Sequence, residues 1–86
     1  MDKGTLFPKE VVSDMPRITL TGSERVHVEQ HKGLIAYQPE EVVFRVAPGR
    51  LTVSGQELRF RLYTSNEAIL TGHVDSVAMA GGERTV

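Results

Sequence analysis

The chain has 86 residues, 40% of them hydrophobic, with ten basic and eleven acidic side chains and no cysteine. A chain this short buries only about 60 to 65% of the surface it exposes when unfolded, so it makes one thin-cored domain, and the missing cysteines exclude a disulfide framework, a thiolate zinc site and a dithiol redox pair. Near-balanced charge removes the long-range attraction that nucleic acid or an anionic membrane would exploit.

No apolar run approaches the roughly 20 residues that cross a bilayer. The N-terminus mixes acid and base without an apolar signal core, so the sequence predicts a protein made without export, in a reducing cytoplasm. Residues 1–15 form an N-terminal arm in which Leu6, Phe7, Val11, Val12 and Met15 line one side of a short helix opened by Pro8. The arm has more apolar residues than a solvated tail requires, and it covers an edge of its own domain or docks on a partner. Pro16 ends any helix, because the residue before proline is pushed toward extended geometry.

From Arg17 onward, short alternating runs separated by turn residues give a strand and hairpin signal. Ile18 and Leu20 point inward, with Thr19 and Thr21 outward, before the turn Gly22-Ser23-Glu24; Val26 and Val28 then point inward against Arg25, His27 and Glu29. After Gln30-His31-Lys32-Gly33 comes Leu34-Ile35-Ala36-Tyr37, apolar on both faces and so assigned to a central strand. A turn at Gln38-Pro39-Glu40 leads to Val42, Phe44 and Val46, and Ala47-Pro48-Gly49-Arg50 is the strongest turn signal in the chain. Leu51 and Val53 close on Ser54-Gly55, and Leu58, Phe60 and Leu62 alternate cleanly with Arg59, Arg61 and Tyr63. The last run, from Ala68 through Gly72 to Met79, breaks alternation between Val74 and Val77, which predicts a bulge near Asp75-Ser76. Residues 81–86 read as a flexible tail.

The runs repeat. Ile18, Leu34, Leu51 and Ala68 open segments spaced by 16 to 17 residues, each a strand, a turn and a second strand. Four such units give about eight short strands in a single β domain over residues 16–80. Two all-β architectures accommodate them: a small antiparallel β-sandwich or a short β-solenoid. The sandwich is favoured, because Pro-Gly and Gly-polar turns reverse a chain sharply while solenoid corners are gentler and need caps.

Chemistry-bearing patterns are sparse. His27 and His31 are four apart with His73 as a third imidazole, but a strand followed by a turn does not bring the first two to one face as a helix would. They are read as solvent-side histidines, His31 helping a turn, and no metal is assigned. Glu24, Glu40, Glu41, Glu57 and Glu67 fall in or beside turns, whereas acid-base catalysis needs carboxylates of contrasting environment in one cleft. Ser54 and Ser76 lack a nucleophile-elbow setting, and Gly81-Gly82 lacks the lysine and strand-to-helix context of a phosphate loop. No catalytic residue and no cofactor are assigned. Phe44, Phe60 and Tyr63 near arginines invite comparison with a base-stacking platform, but both phenylalanines alternate in phase with the inward aliphatics and belong to the core; no nucleic-acid partner is assigned. What remains is a protein-binding surface: unpaired strand edges, and outward side chains Arg17, Thr19, Thr21, Arg45, Arg59, Arg61 and Tyr63.

The string Pro16-Arg17-Ile18-Thr19-Leu20-Thr21-Gly22, followed by Val28-Glu29-Gln30-His31-Lys32-Gly33-Leu34-Ile35-Ala36-Tyr37, resembles the YabP/YqfC family of sporulation proteins, closer to the YqfC branch. Leu51-Thr52-Val53-Ser54-Gly55 and Ile69-Leu70-Thr71-Gly72-His73-Val74 fit that family's strand-and-glycine pattern, so the resemblance covers residues 8 to 79. It implies an immunoglobulin-like sandwich and a non-enzymatic protein of endospore-forming bacteria. It further implies action in the mother-cell cytoplasm, peripherally at the membrane around the forespore, with a membrane or envelope protein as partner and no insertion into the bilayer. The alternative is a structural β protein of the spore envelope that self-assembles into homo-oligomers through its edges. The family supplies no catalytic residues to carry over.

Overall fold

A computed structural model of the chain describes residues 15–47 and 49–80. The expected N-terminal arm as far as Asp14, Pro48 of the expected Pro-Gly turn and the expected tail from Gly81 lie outside the described residues. Six strands fill most of the span: β1 (Arg17–Thr21), β2 (Arg25–Glu29), β3 (Gly33–Gln38), β4 (Glu41–Arg45), β5 (Arg50–Tyr63) and β6 (Glu67–Ala80). They make one sheet in the order β1-β2-β6-β5-β4-β3, and every neighbouring pair is antiparallel. All eight apolar runs lie in strands, and the fold is all-β and antiparallel as expected.

The strand count and the layering differ from expectation. Units one and two reverse at their turns and become the hairpins β1-β2 and β3-β4, but units three and four run straight through, so β5 and β6 are single strands of 14 residues each. Eight runs therefore give six strands in one continuous sheet, not two separate sheets of a sandwich. The solenoid is not found either, since its coils would stack successive repeats whereas β2 pairs with β6.

The reason is visible at two glycines. A Cβ on Gly55 would overlap the carbonyl oxygen of His73, and one on Gly72 would lie 2.5 Å from the carbonyl oxygen of Glu57. At both points the opposite backbone leaves no room for a side chain. Around them the register shifts: Asp75 has no counterpart between Ser54↔Ser76 and Gly55↔Val74, and an extra residue enters β5 between Gln56 and Arg59. The bulge expected near Asp75-Ser76 is present. Glu57 adopts a left-handed φ of 54° there, after which Leu58 turns into the core. Bulges bend strands, and this bend is sharp. Nine residues of straight strand would separate Leu51 from Phe60 by about 30 Å, yet Phe44, the register partner of Leu51, has its ring centroid 6.1 Å from that of Phe60. The sheet folds over on itself, and its two halves share one core of Val26, Val28, Val42, Phe44, Val46, Leu51, Val53, Leu58, Ala68, Leu70 and Val74.

The folding-over has a pseudo-twofold symmetry that explains the repeat. A shift of 16 residues carries β1-β2 onto β3-β4, and a shift of 17 carries β5 onto β6. The hairpin turns dock equivalently: Gly72 and Val74 N–H donate to the carbonyls of Glu24 and Ser23 at 3.3 and 2.7 Å, while Gly55 and Leu58 N–H donate to those of Glu40 and Pro39 at 3.0 and 2.8 Å. Each hairpin thus supplies acceptors to the backbone groups that a bend frees from its ladder.

Three expected placements are corrected. Leu34-Ile35-Ala36-Tyr37 is not central: β3 is an edge strand, and its two apolar faces are explained by Leu34 and Tyr37 lying on the core side while Ile35 is the extra residue of a bulge. Leu20 pairs with buried Val26 and so lies on the core side, but it is 53% exposed because, among the described residues, no strand flanks β1 beyond it. Its neighbour Ile18 is half-buried and packs on the core, as expected. The third is His31, which is not on the solvent side but 1% exposed. Gln30, at φ 67°, turns the chain inward, and Gln30 and His31 N–H both donate to the Asn66 carbonyl. The imidazole then accepts from Gly33 N–H at Nδ1 (2.9 Å) and meets the Thr64 carbonyl at Nε2 (3.0 Å), which selects the tautomer carrying hydrogen on Nε2. Phe44 and Tyr63 flank the ring, each at 5.2 Å. One buried side chain ties the β2-β3 connection to the β5-β6 turn.

Two measurements test these assignments by urea unfolding. Gly55→Ala is expected to lose about 3 kcal/mol or more, because backbone and not a yielding side chain blocks the added carbon, whereas Gln56→Ala beside it changes stability by about 0.5 kcal/mol or less. His31→Phe keeps the ring packing but leaves a buried donor and acceptor unpaired and is expected to cost about 1 to 3 kcal/mol; His31→Ala also opens a cavity and costs more.

Candidate interaction surface

Cross-strand partners share a face of the sheet, so the register assigns every outward side chain. On the outer face of the half formed by β1, β2 and the inner segments of β6 (67–71) and β5 (59–63), three rows cross the strands. One row runs Thr21, Arg25, Thr71, Arg59, the next Thr19, His27, Ile69, Leu62, and the third Arg17, Glu29, Glu67. Arg17, Thr19, Thr21 and Arg59 are all exposed and lie on this one face.

The other residues singled out from the sequence lie elsewhere. Arg45 pairs with Arg50 on β5 and with Gly33 on β3, in the other half of the sheet. Arg61 is the unpaired residue of a register shift between Phe60 and Leu62. Tyr63 was expected to face out, but it pairs with buried Ala68 on the core side; it remains 45% exposed while stacking on His31 at 24° between ring planes. Arg45, Arg59 and Arg61, all expected to point outward, do not share one face, because Arg45 is on β4 and β5 bends and bulges between Gly55 and Leu62.

Arg25 was missed in the sequence as part of this surface. It joins Arg59 through Thr71, and no local spacing reveals that neighbourhood, because β2 and β6 are far apart in the chain. The face is electrically graded. Arg25 and Arg59 lie toward the bend, where Thr21, Glu24, Arg25, Glu57, Thr71, Gly72 and His73 line an open depression of ≈ 560 Å³. Glu29 and Glu67 lie toward the far end, with His27 between them: Nδ1 is 3.8 Å from Glu29 Oε2 and Nε2 is 3.7 Å from Glu67 Oε1. Those separations are beyond hydrogen-bond length.

The histidines do not converge. His31 has both ring nitrogens occupied inside the fold, His27 sits in the acidic corner, and exposed His73 contacts Asp75 at 3.1 Å. Among the described residues no group of three or more metal-ligating side chains is gathered. Glu24, Glu40, Glu41 and Glu57 are all exposed, and Glu67 is half-buried beside His27. Among the described residues no helix is long and apolar enough to cross a membrane.

The model of the YabP family matches residues 13–85. A Bacillus subtilis (strain 168) protein named "Uncharacterized protein YqfC" is 31% identical over 71 residues, which cover 83% of this chain and 76% of that one. No solved structure matches significantly. The family match spans every strand from β1 to β6, including both bend glycines and the buried His31, and this protein belongs to the YabP family.

Proposed function

We propose that this protein is a non-enzymatic interaction module of endospore-forming bacteria, acting in the mother cell during sporulation at the membrane around the forespore. There its sheet recruits or scaffolds a membrane or envelope protein. The observation that carries the reading is the graded outer face, on which Arg17, Thr19, Thr21, Arg25, Thr71 and Arg59 present guanidinium and hydroxyl groups across four strands. A broad, shallow surface of this kind fits a protein segment better than a small substrate, which is normally held in a concave and largely apolar pocket. Arginines supported by threonine hydroxyls suit an acidic segment of the partner. The exposed carboxylates of Glu24, Glu40, Glu41 and Glu57 support the non-enzymatic reading, because none is set in the kind of desolvated cleft that tunes a general acid or base. The sporulation setting rests on the family resemblance.

A second reading, a structural β protein that self-assembles, is favoured by the straight edge strand β1, which has no outer partner strand among the described residues.

Crosslinking with mass spectrometry in sporulating cells tests the first reading. Crosslinks from β1, β2 and the 59–71 hairpin to one membrane or envelope protein are expected, falling at least about tenfold in the doubly charge-reversed Arg17→Glu, Arg59→Glu variant, since close charge pairs at interfaces carry several kcal/mol. A crosslink set with no membrane or envelope protein, or one unchanged by the double substitution, overturns it.

A further inference from the structure

A sheet that folds over without closing leaves four unpaired edges among the described residues: β1, β3, the 59–63 segment of β5 and the 76–80 segment of β6. Unpaired edges invite strand addition, and bulges and charges are the usual protection. β3 is interrupted by the register shift at Ile35, and the β5 segment by the shift at Arg61, with Arg59 adding a second charge. Only β1 and the β6 segment are straight. The β6 segment, Ser76-Val77-Ala78-Met79-Ala80, offers two alanines and a serine, which are poor strand formers with little side chain to pair. β1 is Arg17-Ile18-Thr19-Leu20-Thr21, rich in β-branched residues, with all five residues in unbroken register on its inner side.

β1 is also chemically palindromic about Thr19, and self-complementarity is the condition a twofold interface imposes. With the axis through Thr19, antiparallel pairing sets Ile18 against Leu20 of the second copy, Arg17 against Thr21 of the second copy, and Thr19 against its own equivalent. A residue-centred axis keeps every side chain on its face, so Val26, Leu20, Ile18 of the second copy and Val28 of the second copy form one apolar row on the core side. This covers Leu20, which is on the core side of the sheet yet 53% exposed. Pro16 falls opposite Gly22 of the second copy and, lacking an N–H, ends the ladder at five residues. We propose that two copies of this chain pair antiparallel through β1, with Thr19 on the twofold axis, into one continuous sheet of twelve strands. The pairing uses main-chain groups, so it leaves both outer faces open and makes them contiguous. It is a closed dimer and not a filament, because the bulged β3 edge does not propagate it. It does not rest on the sporulation reading, since its test uses the purified chain alone.

Sedimentation velocity of the full chain from micromolar to millimolar concentration is expected to show a monomer-dimer equilibrium. Thr19→Lys and Thr19→Glu, each placing like charges across the axis, are expected to give monomers that retain the parent far-ultraviolet dichroism, and an equimolar mixture restores a dimer containing one of each. In this cysteine-free chain, Thr19→Cys is expected to crosslink under mild oxidation, whereas the edge control Ala78→Cys is not. A chain monomeric at millimolar concentration overturns the proposal. So does a dimer that survives Thr19→Lys but is broken by Ala78→Lys, which would assign pairing to β6. Should Thr19→Lys fail to fold, the two cysteine variants decide between the edges.

Discussion

The close passage of β5 and β6 at Gly55 and Gly72 is the constraint on which the rest of the structure depends. Two backbones approach there to a distance that no side chain permits, and the bulges at Asp75 and Glu57 convert the approach into a bend. Without the bend, six strands of this length would be a flat ribbon with one face unburied, and a thin-cored chain has no second layer with which to cover it. With it, the sheet is its own second layer. The hairpin turns then have a place to dock, and their carbonyls satisfy the N–H groups of Gly55, Leu58, Gly72 and Val74.

The pseudo-twofold relation between the halves is obeyed by the backbone and broken by the side chains. At one end His31, Tyr37, Phe44, Phe60 and Tyr63 form a continuous cluster, closed by the Tyr37 hydroxyl on the Leu58 carbonyl at 2.9 Å and by the two hydrogen bonds of His31. Across the pseudo-axis, Val77 stands where Phe60 stands, and Val28 where Phe44 stands. Smaller aliphatics fill less of the space between edges, and Leu20 and Met79 on that side stay half-exposed although the register puts both on the core side. One end of the fold is packed by aromatics, while the other presents apolar side chains and, among the described residues, an unpaired edge. Among the described residues, the main-chain groups on the other side of β1 have no strand to pair with.

Much of this was legible in the residues. Short apolar runs bounded by turn residues, most of them alternating with period two, identified the eight extended runs, because a strand with one buried face alternates. The 16 to 17 residue spacing revealed the repeat, and the lost alternation between Val74 and Val77 revealed a bulge. The stretch from Pro16 to Tyr37 carried the family. These are local properties, set by the backbone preferences and burial of neighbours in the chain.

The remainder depended on contacts between distant residues. Ser54-Gly55 and Gly72 read as turns in the same way as Gly22-Ser23-Glu24, but a glycine serves a reversal or a close crossing equally well, and only the passage of the opposite strand selects between them. Ile35, between Leu34 and Ala36 in a run apolar on both faces, suggested a central strand until the sheet order made it an edge bulge. His31 carried no sign that both its nitrogens would be used, since Thr64 lies 33 residues away. Arg17, Thr19 and Thr21 could be read as outward from alternation alone. That Arg25 and Arg59 stand beside them, while Arg45, Arg61 and Tyr63 do not, was decided by register between strands remote in sequence, because a shift of one residue moves a side chain to the opposite face.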